Sequence, residues 1–86
     1  MTESRQYLEQ LSTLDDGAGR LRSYVQQRID AALLRDPGRA NQSAVHPDVY
    51  TIEIRAPAGT GIFEVAFRLN RETHTGTLIG IRAVED

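Results

Sequence analysis

Two histidines, His46 and His74, are the first candidates in this 86-residue chain for acid–base or metal work, the roles an imidazole most often takes. His46 stands beside Pro47 and Asp48, and Ser43 lies three residues before it. A Ser-His-Asp relay built from these three would sit on one connecting segment, with no glycine-flanked serine elbow to hold the nucleophile. His74 follows Glu72 and lies between Thr73 and Thr75. That cluster offers hydroxyls, an imidazole and a carboxylate, but on a loop tip. Neither cluster supplies the three or four converging ligands of a metal centre. The chain has no cysteine, which removes thiolate chemistry and disulfides. Gly59-Thr60-Gly61 has the look of a phosphate loop but precedes a strand pattern, so no helix N-terminus is aimed at an anion. No catalytic residue, metal site or cofactor site is assigned from these patterns.

Arginine is the other reagent. All ten basic residues are Arg and none is Lys. Codon bias explains such a composition, and so does a use of the rigid guanidinium fork for carboxylate or phosphate. Arg28, Arg35 and Arg39 make a basic strip at near-helical spacing, interrupted by Asp30 and Asp36. With a net charge of −2, the chain lacks the dense cationic field of a nonspecific nucleic-acid binder.

These side chains must be positioned by elements that the hydrophobic rhythm marks out. Tyr7, Leu8, Leu11 and Leu14 recur at helical spacing, which predicts a helix over 3–14 with Thr2 or Ser4 as its cap. Asp15-Asp16-Gly17-Ala18-Gly19 reads as a break. A second helix is predicted from about Ala18 to Arg35, with Leu21, Tyr24, Val25, Ile29, Ala32 and Leu33 on one face, and Asp36-Pro37-Gly38 ends it. Residues 37–48 form a polar connection.

From Val49 the period changes from 3.6 to 2. In VYTIEIRA, IFEVAFRL and TLIGIRAV, apolar and polar side chains alternate, as in sheets buried on one side. Short links at 57–61 and 70–76 make neighbouring strands antiparallel. The expected fold is α+β: an N-terminal helix or helical hairpin on one face of a three-stranded antiparallel β-meander. The whole chain, 1–86, is expected to be a single domain, helical over 3–36, loop over 37–48 and sheet over 49–84.

Two surfaces follow. The outer face of the sheet gathers Glu53, Arg55, Glu64, Arg68 and Arg82, suited to cross-strand charge pairing or to a polar partner. The last strand, 77–84, is an edge in a meander, with one charge, no proline, and Leu78 and Val84 pointing away from the core. Such an edge invites a second strand, unless the N-terminal helix covers it.

The run VYTIEIRAPAGTGIFEVAFRL followed by TLIGIRAV resembles in rhythm the sheet of the RelE/ParE family of small toxins. The resemblance implies a ribonuclease or RNA-binding role carried by Arg55, Arg68 and Arg82. The chain departs from it in being acidic, in showing no leading strand, and in ending Glu85-Asp86.

The leading expectation is therefore a small protein–protein interaction module: an adaptor, inhibitor or accessory subunit, homodimeric through an exposed sheet edge. Its candidate surface is Glu53, Arg55, Glu64, Arg68, Arg82, Leu78 and Val84. A RelE/ParE-like ribonuclease is the alternative. The partner is expected to be a protein or a second copy, not nucleic acid or membrane. The absence of a basic, apolar leader in MTESRQYLEQ leads to an expected cytoplasmic location.

Overall fold

The computed structural model describes residues 1–14, 20–36, 38, 40–56, 61–70, 72–73 and 75–84. It is an α+β fold in which two helices pack on a five-stranded mixed sheet. In chain order the elements are β1 (Thr2–Glu3), α1 (Arg5–Leu14), α2 (Arg20–Arg35), β2 (Asn41–Gln42), β3 (Val49–Arg55), β4 (Ile62–Asn70) and β5 (Thr75–Val84). The sheet order is β1-β5-β4-β3-β2.

The helices form where the apolar spacing puts them. Ser4 caps α1: its Oγ accepts the Tyr7 N–H at 3.2 Å, satisfying one of the orphan donors of the first turn. Tyr7 and Leu11 are buried, Leu14 is partly buried, and Leu8 falls outside the stripe and is exposed. On α2, Leu21, Val25 and Ile29 are buried at i, i+4 and i+8. After Arg35, the Asp36 carboxylate accepts the Gly38 N–H at 3.2 Å and turns the chain away. The break expected at 15–19 lies outside the described residues.

β3, β4 and β5 are the predicted antiparallel meander, with β4 central. Ile52, Ile54, Val65, Phe67, Leu78 and Ile81 meet the helix stripes in one core cluster. The ring of Tyr50 stacks on Phe67 across the strand pair, centroids 5.8 Å apart. Gly61, which leads into β4, has φ of +105°, a conformation that only glycine adopts without strain. The rest of that loop, 57–60, lies outside the described residues.

Three expectations are corrected. First, the sheet is wider than a three-stranded meander. Residues 2–3 form a strand parallel to β5, pairing Thr2 with Thr77 and Glu3 with Leu78. Residues 41–42 pair antiparallel with Tyr50 and Thr51 of β3. The connection over 37–48 is thus partly a hairpin arm, closed by Ser43 N–H to Val49 O and by Val49 N–H to His46 O, both 2.9 Å. Second, Glu3, expected as the first helical residue, belongs with Thr2 to a strand, because of the two cap candidates Ser4 takes the position and α1 begins at Arg5.

Third, Leu78 does not point away from the core; it is 1% exposed. The register explains why. Ala66 pairs with Gly80 but Phe67 pairs with Leu78, so Ile79 is an extra residue on β5. This β-bulge shifts the alternation by one and puts Leu78 and Ile81, three apart, on the same buried face.

Candidate functional site

Across the three central strands, the cross-strand pairs align the outward side chains in four rows. They are Arg55–Ile62–Val84, Glu53–Glu64–Arg82, Thr51–Ala66–Gly80 and Val49–Arg68–Thr77. Among the described residues no helix covers this face, since both helices share the core on the opposite side. The structure thus brings together Glu53, Arg55, Glu64, Arg68, Arg82 and Val84 on one surface and leaves Leu78 beneath it.

The charges on the face are partly spent on one another. Glu53 stands directly opposite Glu64, an unfavourable like-charge pair. The pairing of Glu64 with Arg82 on the other side relieves it: Arg82 Nε donates to Glu64 Oε1 at 3.0 Å. Arg68 Nε lies 3.0 Å from Asp48 Oδ2, with both side chains about half exposed. Among the described residues Glu53 and Arg55 make no ion pair.

The middle row is the shallow part of the face. Thr51, Ala66 and Gly80 carry small or no side chains, flanked by longer charged ones. At the β5 end, α1 reaches over the rim. Gln10 Oε1 accepts the Ile81 N–H at 2.9 Å. That carboxamide passes so close that a Cβ on residue 80 would meet it at 3.1 Å, which is why a glycine suits the position. A hollow of about 250 Å³ results, floored by Ala66 and Gly80, with Gln6 and Gln10 on one side and Glu64 and Arg82 on another. A second hollow, about 570 Å³, lies where Asp48 meets Arg68 and is also lined by Gln42, Pro47, Tyr50 and Leu69.

No family model, curated protein or solved structure matches the chain. What the molecule can do must therefore be read from its own surfaces.

Ser43 and Asp48 are engaged with groups other than the His46 side chain. The Ser43 Oγ accepts the N–H groups of Val45 and His46, both at 3.2 Å, and so closes a local turn. Asp48 turns to Arg68, and His46 is exposed. His74 and Arg39 lie outside the described residues. Among the described residues no group of three or more His, Cys, Asp or Glu side chains is placed to hold a metal ion. No described helix is long and apolar enough to cross a membrane.

Both edges of the meander are covered along part of their length. On β5, β1 pairs with the first half, Ser4 N–H donates to Leu78 O at 2.9 Å, and Gln10 takes the Ile81 N–H farther along. On β3, β2 covers Tyr50 and Thr51, and the Tyr24 hydroxyl donates to Arg55 O at 2.6 Å. Short outer strands and side-chain caps of this kind blunt an edge against a foreign strand. The edge contact expected for Thr77–Val84 is replaced by this internal cover. Cover by the N-terminal helix was the alternative reading of the sequence; Gln10 of α1 supplies part of it, and the two-residue strand β1, which carries no periodic signal, supplies the rest.

Proposed function

We propose that the chain is a small protein-interaction module whose contact surface is the outer face of the meander. One observation carries the reading: with both edges partly covered, the broad unroofed surface of the sheet is the row system from Val49–Arg68–Thr77 to Arg55–Ile62–Val84. That face mixes half-buried apolar side chains (Val49, Ile62, Val84) with Arg and Glu. Apolar side chains interspersed with arginine are features shared with protein interfaces.

A photo-cross-linking side chain at Ala66, compared with one at the exposed Arg28 on α2, tests this. Protein adducts from position 66 and none from position 28 support it. Adducts only from position 28 would contradict it.

The alternative, an RNA-directed role for Arg55, Arg68 and Arg82, has less to stand on. Two of those three arginines already face carboxylates. A direct RNA titration separates the readings: RNA binding whose affinity falls steeply with ionic strength through counterion release favours the RNA role, and no RNA binding even at low salt favours the protein contact.

A further inference from the structure

We infer that the partner of the outer face is a second copy of this chain, docked face to face about a twofold axis through Ala66. The inference rests on the outer-face reading above and adds the partner and its geometry.

The argument is charge self-complementarity. Glu64 and Arg68 lie on the same face of β4, two residues either side of Ala66 and roughly 13 Å apart along the strand. A twofold axis lying along the Thr51–Ala66–Gly80 row reverses the strand direction. It therefore sets Glu64 of each copy against Arg68 of the other, giving two opposite-charge contacts around one axis. A twofold axis parallel to the strands would instead oppose Glu64 to Glu64 and Arg68 to Arg68. That second axis also sets Glu53 of each copy against Arg82 of the other, so its two attractive contacts are offset by two like-charge ones, whereas the first axis brings no like charges of these rows together and is favoured.

The side chains have capacity for the new contacts. Arg68 is held to Asp48 through Nε, and its side chain stays about half exposed. Glu64 holds Arg82 through Oε1, which leaves Oε2 for another donor. On the axis itself, Thr51 and Ala66 carry small side chains, while the Gln10 carboxamide lies beside Gly80 at the β5 end. Gln6 and Gln10 supply a polar rim on the β5 side.

The footprint is modest. Three strands about 4.8 Å apart over seven residues give roughly 330 Å² per copy, against about 800 Å² for a standard interface. Association is accordingly weak and concentration-dependent.

Sedimentation equilibrium on the full chain, from micromolar to millimolar, tests the geometry with two charge reversals. Glu64→Arg leaves two arginines flanking the axis, and Arg68→Glu leaves two glutamates. Each alone is expected to sediment as a monomer. An equimolar mixture is expected to associate, because both cross-axis contacts become Arg–Glu again. Should Glu64→Arg fail to fold, Ala66→Arg sets like charges on the axis and is expected to abolish association. A monomeric wild type at millimolar concentration overturns the inference, while cross-linking from Ala66 to a different protein would still uphold the outer-face reading. Self-association unchanged in both reversals also overturns the inference, because the contact then lies elsewhere, and the outer-face reading is then decided by the cross-linking from Ala66.

Discussion

The side-chain oxygen of Gln10 accepts a 2.9 Å hydrogen bond from the backbone N–H of Ile81, joining residues 71 apart in the chain. That N–H points away from β4, along the side of β5 that a meander leaves open. One glutamine on α1 thus continues the work of β1, which covers the preceding stretch of the same strand. Gln10→Ala should lower stability by about 1 kcal/mol, the usual worth of one such bond, and speed amide exchange at Ile81. Urea denaturation and hydrogen exchange check the two effects; unchanged exchange at Ile81 would show that the bond contributes nothing.

Removal of the whole cover has a different signature. In the intact chain, Glu3 grips Arg22 with both carboxylate oxygens, the Arg22 Nε lying 2.9 and 2.8 Å from them, which ties β1 to α2 and raises the Arg22 pKa above its ordinary value. A chain beginning at Ser4 loses β1 and that tether. Its β5 edge then offers unpaired N–H and C=O groups, so light scattering should show open-ended aggregation. A truncated chain that scatters like the wild type would mean that β1 is dispensable as an edge cover.

The bulge at Ile79 makes a prediction about two residues of similar chemistry. Leu78 is in the core and Val84 is on the half-buried outer face. Leu78→Ala should cost about 2–5 kcal/mol, the range for a buried leucine, whereas Val84→Ala should cost less than about 1 kcal/mol. Equal costs would place the two side chains in equivalent surroundings and contradict the register shift.

Tyr7 is fully buried, and among the described residues its hydroxyl has no hydrogen-bond partner. Burial first, and the Glu3 carboxylate second, push its phenol up to about 12 from an ordinary value of 10.0, with Arg22 acting in the opposite direction. A raised pKa means that the fold favours the neutral phenol. That preference is fully present below pH 10 and is lost as the pH rises through about 12. Tyr7→Phe should therefore leave stability at neutral pH unchanged or slightly higher, because it removes an unpartnered polar group. Between pH 10 and 12 the variant should gain about 2–3 kcal/mol relative to the wild type. Parallel alkaline unfolding curves for the two chains would refute the assignment.

Much of the architecture was legible because it depends on local periodicity. The stripe Leu21–Val25–Ile29 and the alternation Ile52–Ile54 and Val65–Phe67 announce which faces are buried. The parts that were not legible depend on register or on contacts between distant residues. TLIGIRAV reads as a clean alternation with Ile79 and Ile81 on one face, and nothing local shows that Ile79 is an inserted residue. Two-residue strands such as β1 and β2 carry no periodic signal and exist only because a longer strand is there to pair with. The outer-face residues were legible as a set, apart from Leu78. Their internal arrangement, with Glu64 bonded to Arg82 and Asp48 drawn from a loop to Arg68, required the pairing register.

The claim that the outer face is the contact surface is tested most directly by amide NMR spectra recorded across a wide concentration series. Shifts growing with concentration at Thr51, Glu64, Ala66, Arg68 and Gly80, with the exposed side of α2 around Arg28 and Leu34 silent, are the predicted result. Spectra that do not change with concentration would contradict self-docking, and shifts centred on α2 would place the contact on the wrong side of the molecule.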